Sequence, residues 1–423
     1  VSRPSGALSA VFAVFAVNGF VFASWVARLP AIRDTLGLEP AGMGLVLLVG
    51  AAGSIVALPL TGAVVERIGT ATTTRAASLV CAAGFAGASL GLLAQSPVLV
   101  AGGLFLATTG IGAWDVAMNL QGTVVERALA RAVMPRLHAG FSVGAVAGAL
   151  VGTAAAAAAV PVPAQVFAVV VAAAAAVVLL TRRYLPDAEL RTPATPEPRP
   201  ARTSAFRAWL EPRTVLIGLM VLAAALTEGS ATDWLALAVV DGFEVPDALG
   251  ALAFGVFVLS MTLVRFAGTG LLDRFGRVAV LRLCAGVALA GLATFTLVPS
   301  LPVALLGAAA WGMGAALGFP VGMSAAADEP AHAAARVSVV SSIGYVAFLA
   351  GPPLIGLLAE HVGYRGALLV IAAPLVASLL LSPVAAPPRE PAPAPARTAS
   401  RPAGGRVRLA GWSRPAPPPD LPT

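Results

Sequence analysis

Glu66-Arg67-Ile68-Gly69 and Asp273-Arg274-Phe275-Gly276 are two copies of one short polar pattern, lying in different halves of a 423-residue chain. Each copy falls between long apolar segments, so each reads as a tight charged turn joining two membrane-crossing helices. Recurrence at this separation predicts two related membrane-embedded halves.

The composition agrees. Hydrophobic residues make up 58% of the chain and charged residues 11%, a balance that a water-soluble domain of this length does not show. The mean hydropathy is +0.89. A helix needs roughly 20 apolar residues to cross the bilayer core. Cutting the chain outward from the two turns at charged residues, Pro and Gly gives twelve spans. The first six are 8–27, 42–63, 74–94, 97–119, 138–160 and 163–182, and the second six are 214–239, 248–268, 278–297, 301–325, 337–359 and 366–383. The apolar runs are too long and continuous for the alternating strands of a membrane barrel. The expected fold class is therefore an all-α membrane protein of twelve transmembrane helices in two pseudo-symmetric six-helix bundles. Ala23-Ser24-Trp25-Val26-Ala27 has the look of a cleavage site, but eleven further spans make the first an uncleaved anchor.

Charge sets the expected orientation. The chain has no lysine, and its arginines sit in loops and tails instead of forming a stripe interleaved with aromatics, which argues against a nucleic-acid partner despite a pI near 10.8. With both termini cytoplasmic, the inner loops hold Arg67, Arg75, Arg127, Arg131, Arg136, Arg274, Arg277, Arg282, Arg336 and the cluster from Arg182 to Arg213. The outer loops then keep only Arg28, Arg33 and Arg365. The chain divides into a first bundle at 1–182, a Pro-, Thr- and Arg-rich cytoplasmic linker at 183–212, a second bundle at 213–385 and a disordered tail at 386–423. The location implied is a bacterial inner membrane. Cys81 and Cys284 fall inside apolar spans and read as small hydrophobes, with no disulfide or metal framework.

The twelve spans, the long central loop and the twin Glu66-Arg67 and Asp273-Arg274 turns resemble the major facilitator superfamily. Its loop signature is Gly-x-x-x-Asp-Arg/Lys-x-Gly-Arg/Lys. Three further stretches, Ala23 to Pro30, Trp114 to Gly122 and Pro135 to Ser142, resemble the branch of Mos-type rhizopine-associated membrane proteins and, more distantly, fucose permease. The resemblance implies an inner gate built on Glu66, Arg67, Asp273 and Arg274, with Arg136 and His138 nearby, and a central cavity lined by spans one, four, seven and ten. The chain departs from the pattern in places. Thr70 stands where a basic residue is expected, the second copy shifts its glycine to Gly270, and Met118 occupies the arginine position of the Arg-x-x-Gln-Gly element of proton-coupled members. The fifth span lacks the Gly-Pro element of antiporters, while Gly351-Pro352 occurs in the eleventh.

An acidic residue at mid-membrane costs about 2.5 to 3.5 kcal/mol and must face protein or water. That singles out Asp115 and Glu228. Asp115 and Asn119 share one face of the fourth span, beside Trp114. Asp233 and Trp234 lie further along the seventh span than Glu228, Asn18 lies on the first and Trp311 on the tenth. These eight are the candidate solute-binding or proton-coupling residues. Each has a plainer reading: Asp115 pairing with Arg136 or His138 at the inner face, Asp233 capping a broken helix, the tryptophans anchoring at the interface. Arg265 is expected to snorkel or to join the Asp273 gate. Gly140, Gly144, Gly148 and Gly152 recur every fourth residue of the fifth span, which predicts close helix packing, and the full run also suits a rocking surface between conformations.

No metal-ligand spacing, nucleotide-binding loop or nucleophilic triad emerges, so an enzyme and an ATP-driven pump are both disfavoured, and no cofactor is implied. The expected function is secondary transport of a small polar solute, sugar- or cyclitol-like, by alternating access with proton coupling, in a monomer. Two alternatives stand beside it: an efflux pump for drugs or lipophilic cations, and a non-transporting membrane sensor or scaffold.

Overall fold

Apolar stretches of this length can satisfy their backbone groups in a bilayer only by closing hydrogen bonds within each helix. A computed structural model describes residues 4–130, 133–186, 207–329 and 332–387. Among these residues there are helices and turns and no strand. The first half comprises α1 (Pro4–Val26), the short α2 (Leu29–Leu36), α3 (Pro40–Ile68), α4 (Thr70–Leu93), α5 (Pro97–Leu129), α6 (Met134–Ala157) and α7 (Val162–Leu180). The second comprises α8 (Pro212–Phe243), α9 (Asp247–Leu297), α10 (Leu301–Ala315), α11 (Gly318–Ala326), α12 (Ala333–Leu368) and α13 (Ala372–Leu381). Proline in the first turn starts α3, α5, α7, α8 and α10, where its missing N–H would have had no partner in any case.

Twelve spans follow from these helices. Eleven stretches are long and apolar enough to cross a membrane, and the last of them, Ala335–Ala385, contains two spans because the chain turns at Gly363. Spans eight and nine are the two arms of α9, which meet at Gly276. Span ten is α10 plus α11, interrupted at Ala316 and Leu317. The linker and tail expected at 183–212 and 386–423 lie mostly outside the described residues. The short α2, between spans one and two, was not expected from the apolar pattern.

The turns share one backbone. Gly69, Gly276 and Gly363 have φ/ψ of 84°/161°, 77°/161° and 69°/164°. That region is essentially closed to residues with a Cβ. Each glycine lies three residues after an acid: Glu66, Asp273 and Glu360. The third copy, Glu360-His361-Val362-Gly363, escaped the sequence reading because it carries no arginine.

The glycine run of span five packs against span one. A Cβ at Gly140, Gly144 or Gly148 would meet the carbonyl of Phe12, Ala16 or Phe20, and one at Gly152 would meet Ala27. This seam is internal to the first bundle, so it holds two of its helices together and does not form a surface between the halves.

The halves meet elsewhere. Span two crosses span eleven, where a Cβ at Gly44 would sit 2.8 Å from the Pro352 carbonyl and one at Gly356 would sit 2.6 Å from that of Pro40. Span five lies against span eight, with Gly255 facing Ala149. The core follows the same division. One cluster runs continuously from Trp25, Met43 and Leu47 in the first half to Ile355 and Ala359 in the second. Toward the other face the first half keeps a separate cluster of Phe15, Trp114, Met118 and Val125. The bundles are therefore joined at the face bearing α2, called here the strap face, and keep separate cores toward the face bearing the Glu66 and Asp273 turns, the arginine face.

Candidate functional site

The strap face is latched by charge. Arg33 of α2 bonds across the halves to Asp241 at the end of span seven, stacks over the Tyr364 ring at 5.6 Å and pairs with its neighbour Asp34 at 2.6 Å. Burial works against the Arg33 charge, but the bonds to Asp241, Tyr364 and Asp34 outweigh it and hold this guanidinium above its ordinary range. A second tie runs from the Ala41 amide to Glu360 at 3.3 Å. The other two strap-face arginines are also engaged. Arg28 bonds to Gln165 and to the Val160 carbonyl, while Arg365 donates to the Phe295 and Val298 carbonyls and lies 4.2 Å over Phe243.

The arginine face is different. Glu66, Arg67, Asp273, Arg274 and Arg136 are exposed, and no hydrogen bond or ion pair among the described residues includes their side chains. Arg274 rests over the neighbouring Phe275 ring at 5.2 Å. The side chains expected to form an inner gate are thus not joined to one another. Among the described residues the ion pairs at this face stay within the second half: Asp328 accepts from Arg277 at 2.6 Å and Arg213 at 2.8 Å, and Arg336 pairs with Glu211 at 2.6 Å and Glu329 at 3.1 Å.

Between the faces lie the membrane-interior charges. Asn119 donates to the Asp115 carboxylate at 3.2 Å and to its carbonyl at 2.9 Å. The alternative pairing of Asp115 with Arg136 or His138 is not formed among the described contacts. Glu228 is bonded to Arg265 of span eight at 2.8 Å, and both side chains are about 30% exposed. This corrects one expectation, because Arg265 is tied to Glu228 and neither snorkels nor reaches the Asp273 turn. The Arg265 charge is within electrostatic reach of His138 on span five, and Asp115 is within reach of Tyr345 on span eleven. His138 also packs edge-on against Phe15 at 5.2 Å. Span five of one half packs against span eight of the other, where Gly255 meets Ala149.

The remaining candidates are placed differently. Asp233 is partly exposed one turn from Gly229 on span seven. Asn18 is 1% exposed and neither of its amide atoms has a hydrogen-bond partner. Trp114, Trp234 and Trp311 are enclosed by other side chains: Trp234 lies against Tyr364 at 5.5 Å, and Trp311 lies between Phe257 and Phe295 at 5.6 and 6.1 Å. The three indoles are packed in the core. Sequence reasoning missed Arg33, Asp241, Asp328 and the Glu228–Arg265 bond. One signal was available for the first: an arginine kept on the arginine-poor face needs a partner there.

Two six-span bundles, sealed together at one face and carrying charged side chains between them, define a two-bundle membrane protein of the kind built from repeated halves. The chain belongs to the Major Facilitator Superfamily, whose model matches residues 10–335 and 235–419. It is similar to the uncharacterized transporter y4wD of Sinorhizobium fredii, 31% identical over 380 residues that span 86% of this chain and 97% of that one. It is also similar to the membrane protein MosC of Rhizobium meliloti, 28% identical over 368 residues, 86% of this chain and 87% of MosC. Among solved structures the fold matches the nucleoside transporter NupG with a TM-score of 0.70 at 15% identity, covering 89% of this chain and 98% of NupG. It also matches FucP in its outward conformation, with a TM-score of 0.58 at 15% identity over 88% and 98% of the two chains.

Proposed function

We propose that the protein is a secondary transporter that carries a small polar solute, sugar- or cyclitol-like, across a bacterial inner membrane by alternating access coupled to protons. The observation that carries this reading is the one-sided closure. The strap face is sealed between the halves by Arg33–Asp241 and by the crossing of spans two and eleven, whereas the gate residues of the arginine face stand exposed without cross-bundle partners. Two bundles fastened at one end only are one of the two states that a rocking carrier visits. The positive-inside bias makes the arginine face cytoplasmic, so this state is open inward, with both termini inside.

The polar interior supports the solute class. Asp115, Asn119, Glu228, Arg265, His138 and Tyr345 offer donors and acceptors of both kinds, as the hydroxyls of a sugar or cyclitol require. A carboxylate held between the bundles is also a proton acceptor that can load on one side and unload on the other. Relatives named as transporters and the fold shared with NupG and FucP favour the same reading.

Flux in proteoliposomes tests it. Imposing an inward pH gradient should drive accumulation of a sugar or cyclitol substrate, and Glu228→Gln or Asp115→Asn should reduce that accumulation by roughly tenfold or more, the scale of losing a charge-assisted bond. Saturable solute flux indifferent to the gradient and to both substitutions would overturn the coupling. Binding without flux would overturn the carrier.

A further inference from the structure

Span ten is broken, and the cause is local. α10 ends at Ala315, two turn residues follow, and α11 starts at Gly318. In an unbroken helix the residue at 320 would donate its N–H to the carbonyl of Ala316, but Pro320 has no N–H to give. The Ala316 carbonyl instead accepts from Arg265 Nε at 3.2 Å. Through Nη2 the same guanidinium donates to Glu228 Oε2 at 2.8 Å. One planar fork thus bridges spans seven, eight and ten, a task for which an ammonium group lacks the fixed geometry.

The break also has room around it. An open groove of about 320 Å³, lined by apolar side chains that include Val264, Leu271, Phe275, Cys284 and Met313, runs along the outer side of spans eight, nine and ten. A smaller void of about 20 Å³, bordered by Ala224, Thr227, Ala315 and Gly318, lies against the break. Close-packed interiors resist movement, and unfilled space permits it. Cys284 borders both the groove and the smaller void, and its thiol is buried.

We infer that Arg265 is a positioning residue: it replaces the amide that Pro320 lacks and so bolts the break in span ten to Glu228, making the second segment of that span answer to whatever engages the Glu228 carboxylate. The consequence for transport rests on the carrier reading above. A solute that takes over the Glu228 oxygens weakens the grip of Arg265, and α11 is then free to move against α10. The bolt itself requires no solute.

Cys284 supplies the readout, since opening of the break uncovers its thiol. In purified full-length protein carrying Cys81→Ser, maleimide should alkylate Cys284 roughly tenfold or more faster in Arg265→Gln than in the parent, the expected effect on local opening of losing hydrogen bonds to a charged group. Pro320→Ala restores the amide donor. Placed in the Arg265→Gln background it should return the rate to near the parent value, which a general loss of packing would not allow. Glu228→Gln alone should give an intermediate rate, because the bond from Arg265 to Ala316 survives. Should Arg265→Gln not fold, Arg265→Lys carries the same pair of comparisons. A rate that Pro320→Ala fails to lower in a folded protein overturns the bolt, and a rate unchanged by Glu228→Gln overturns its link to the carboxylate. Neither result touches the flux experiment, and absent flux with an intact rescue would count against the carrier alone.

Discussion

The Glu66–Gly69 and Asp273–Gly276 turns have nearly the same backbone and different fastenings. After Gly69 comes Thr70, fully buried, whose hydroxyl donates to Gln121 of span four at 2.7 Å. After Gly276 comes Arg277, half-buried, which reaches Asp328 at 2.6 Å and Ser324 at 3.1 Å, both at the end of span ten. Spans four and ten are counterparts in the two halves. Each turn is therefore stitched to the corresponding span in its own bundle, once by a neutral bond from a short side chain and once by an ionic bond from a long one. Pseudo-symmetry is kept in the backbone and in the position of the partner, while the chemistry of the tie is free to differ. Each tie also reaches a third segment: Asp328 accepts from Arg213 at the start of span seven, and Gln121 donates to the Leu185 carbonyl beyond span six at 3.4 Å.

The comparison can be broken most forcefully at Asp328. Replacing it by Asn strands two arginines, and the second half should lose about 1–3 kcal/mol, less than a fully buried pair because Arg213 and Arg277 are 33% and 25% exposed. Thermal unfolding in detergent should register this as a clear fall in midpoint. Gly69→Ala and Gly276→Ala should each cost about 1–3 kcal/mol for forcing a Cβ into a positive-φ region. The two costs should be equal within error, and a large inequality would show that the shared backbone is not equally enforced. Thr70→Val, which removes only the hydroxyl, should cost about 1 kcal/mol by the same measurement.

The smallest effect is acidic. Arg336 holds the carboxyl of Glu329 below its usual range, and for Glu211 the same guanidinium outweighs the opposing effect of burial. Groups whose pKa is depressed on folding stabilise the folded chain above their unfolded value, about 4.3 for Glu, and that stability disappears as pH falls through the folded value. Melting followed from pH 6 to below about pH 4 should therefore decline less in Arg336→Gln than in the parent.

The architecture was legible because it is written in long-range hydropathy. Twelve apolar runs and a repeated acid-to-glycine turn need no knowledge of side-chain partners. The boundaries slipped where polar residues continue a helix past the apolar run, as in α5, which extends from the expected end at 119 to Leu129. Of the interior charges, Asp115 and Glu228 could be found because charge in a span is expensive, and Arg265 was visible as a residue. Its role was hidden, since the bond to Glu228 depends on the angular register of spans seven and eight and the bond to Ala316 depends on a helix that breaks. The strap latch was hidden for another reason. α2 is only eight residues long, too short to stand out when the chain is cut into apolar runs of bilayer length. The tryptophans misled in the opposite direction, because an indole can serve a cavity or a core equally well, and only packing decides which.

One consequence follows from the third glycine turn. Glu360–Gly363 sits on the strap face, while its two counterparts sit on the opposite face, so identical hairpin geometry serves both sides of the bilayer. Loop shape then tells the insertion machinery nothing about which way the chain should thread, and direction must be encoded by where the arginines fall. For a polypeptide built this way, evolution could invert a bundle by relocating a few basic side chains, with no hairpin redesigned.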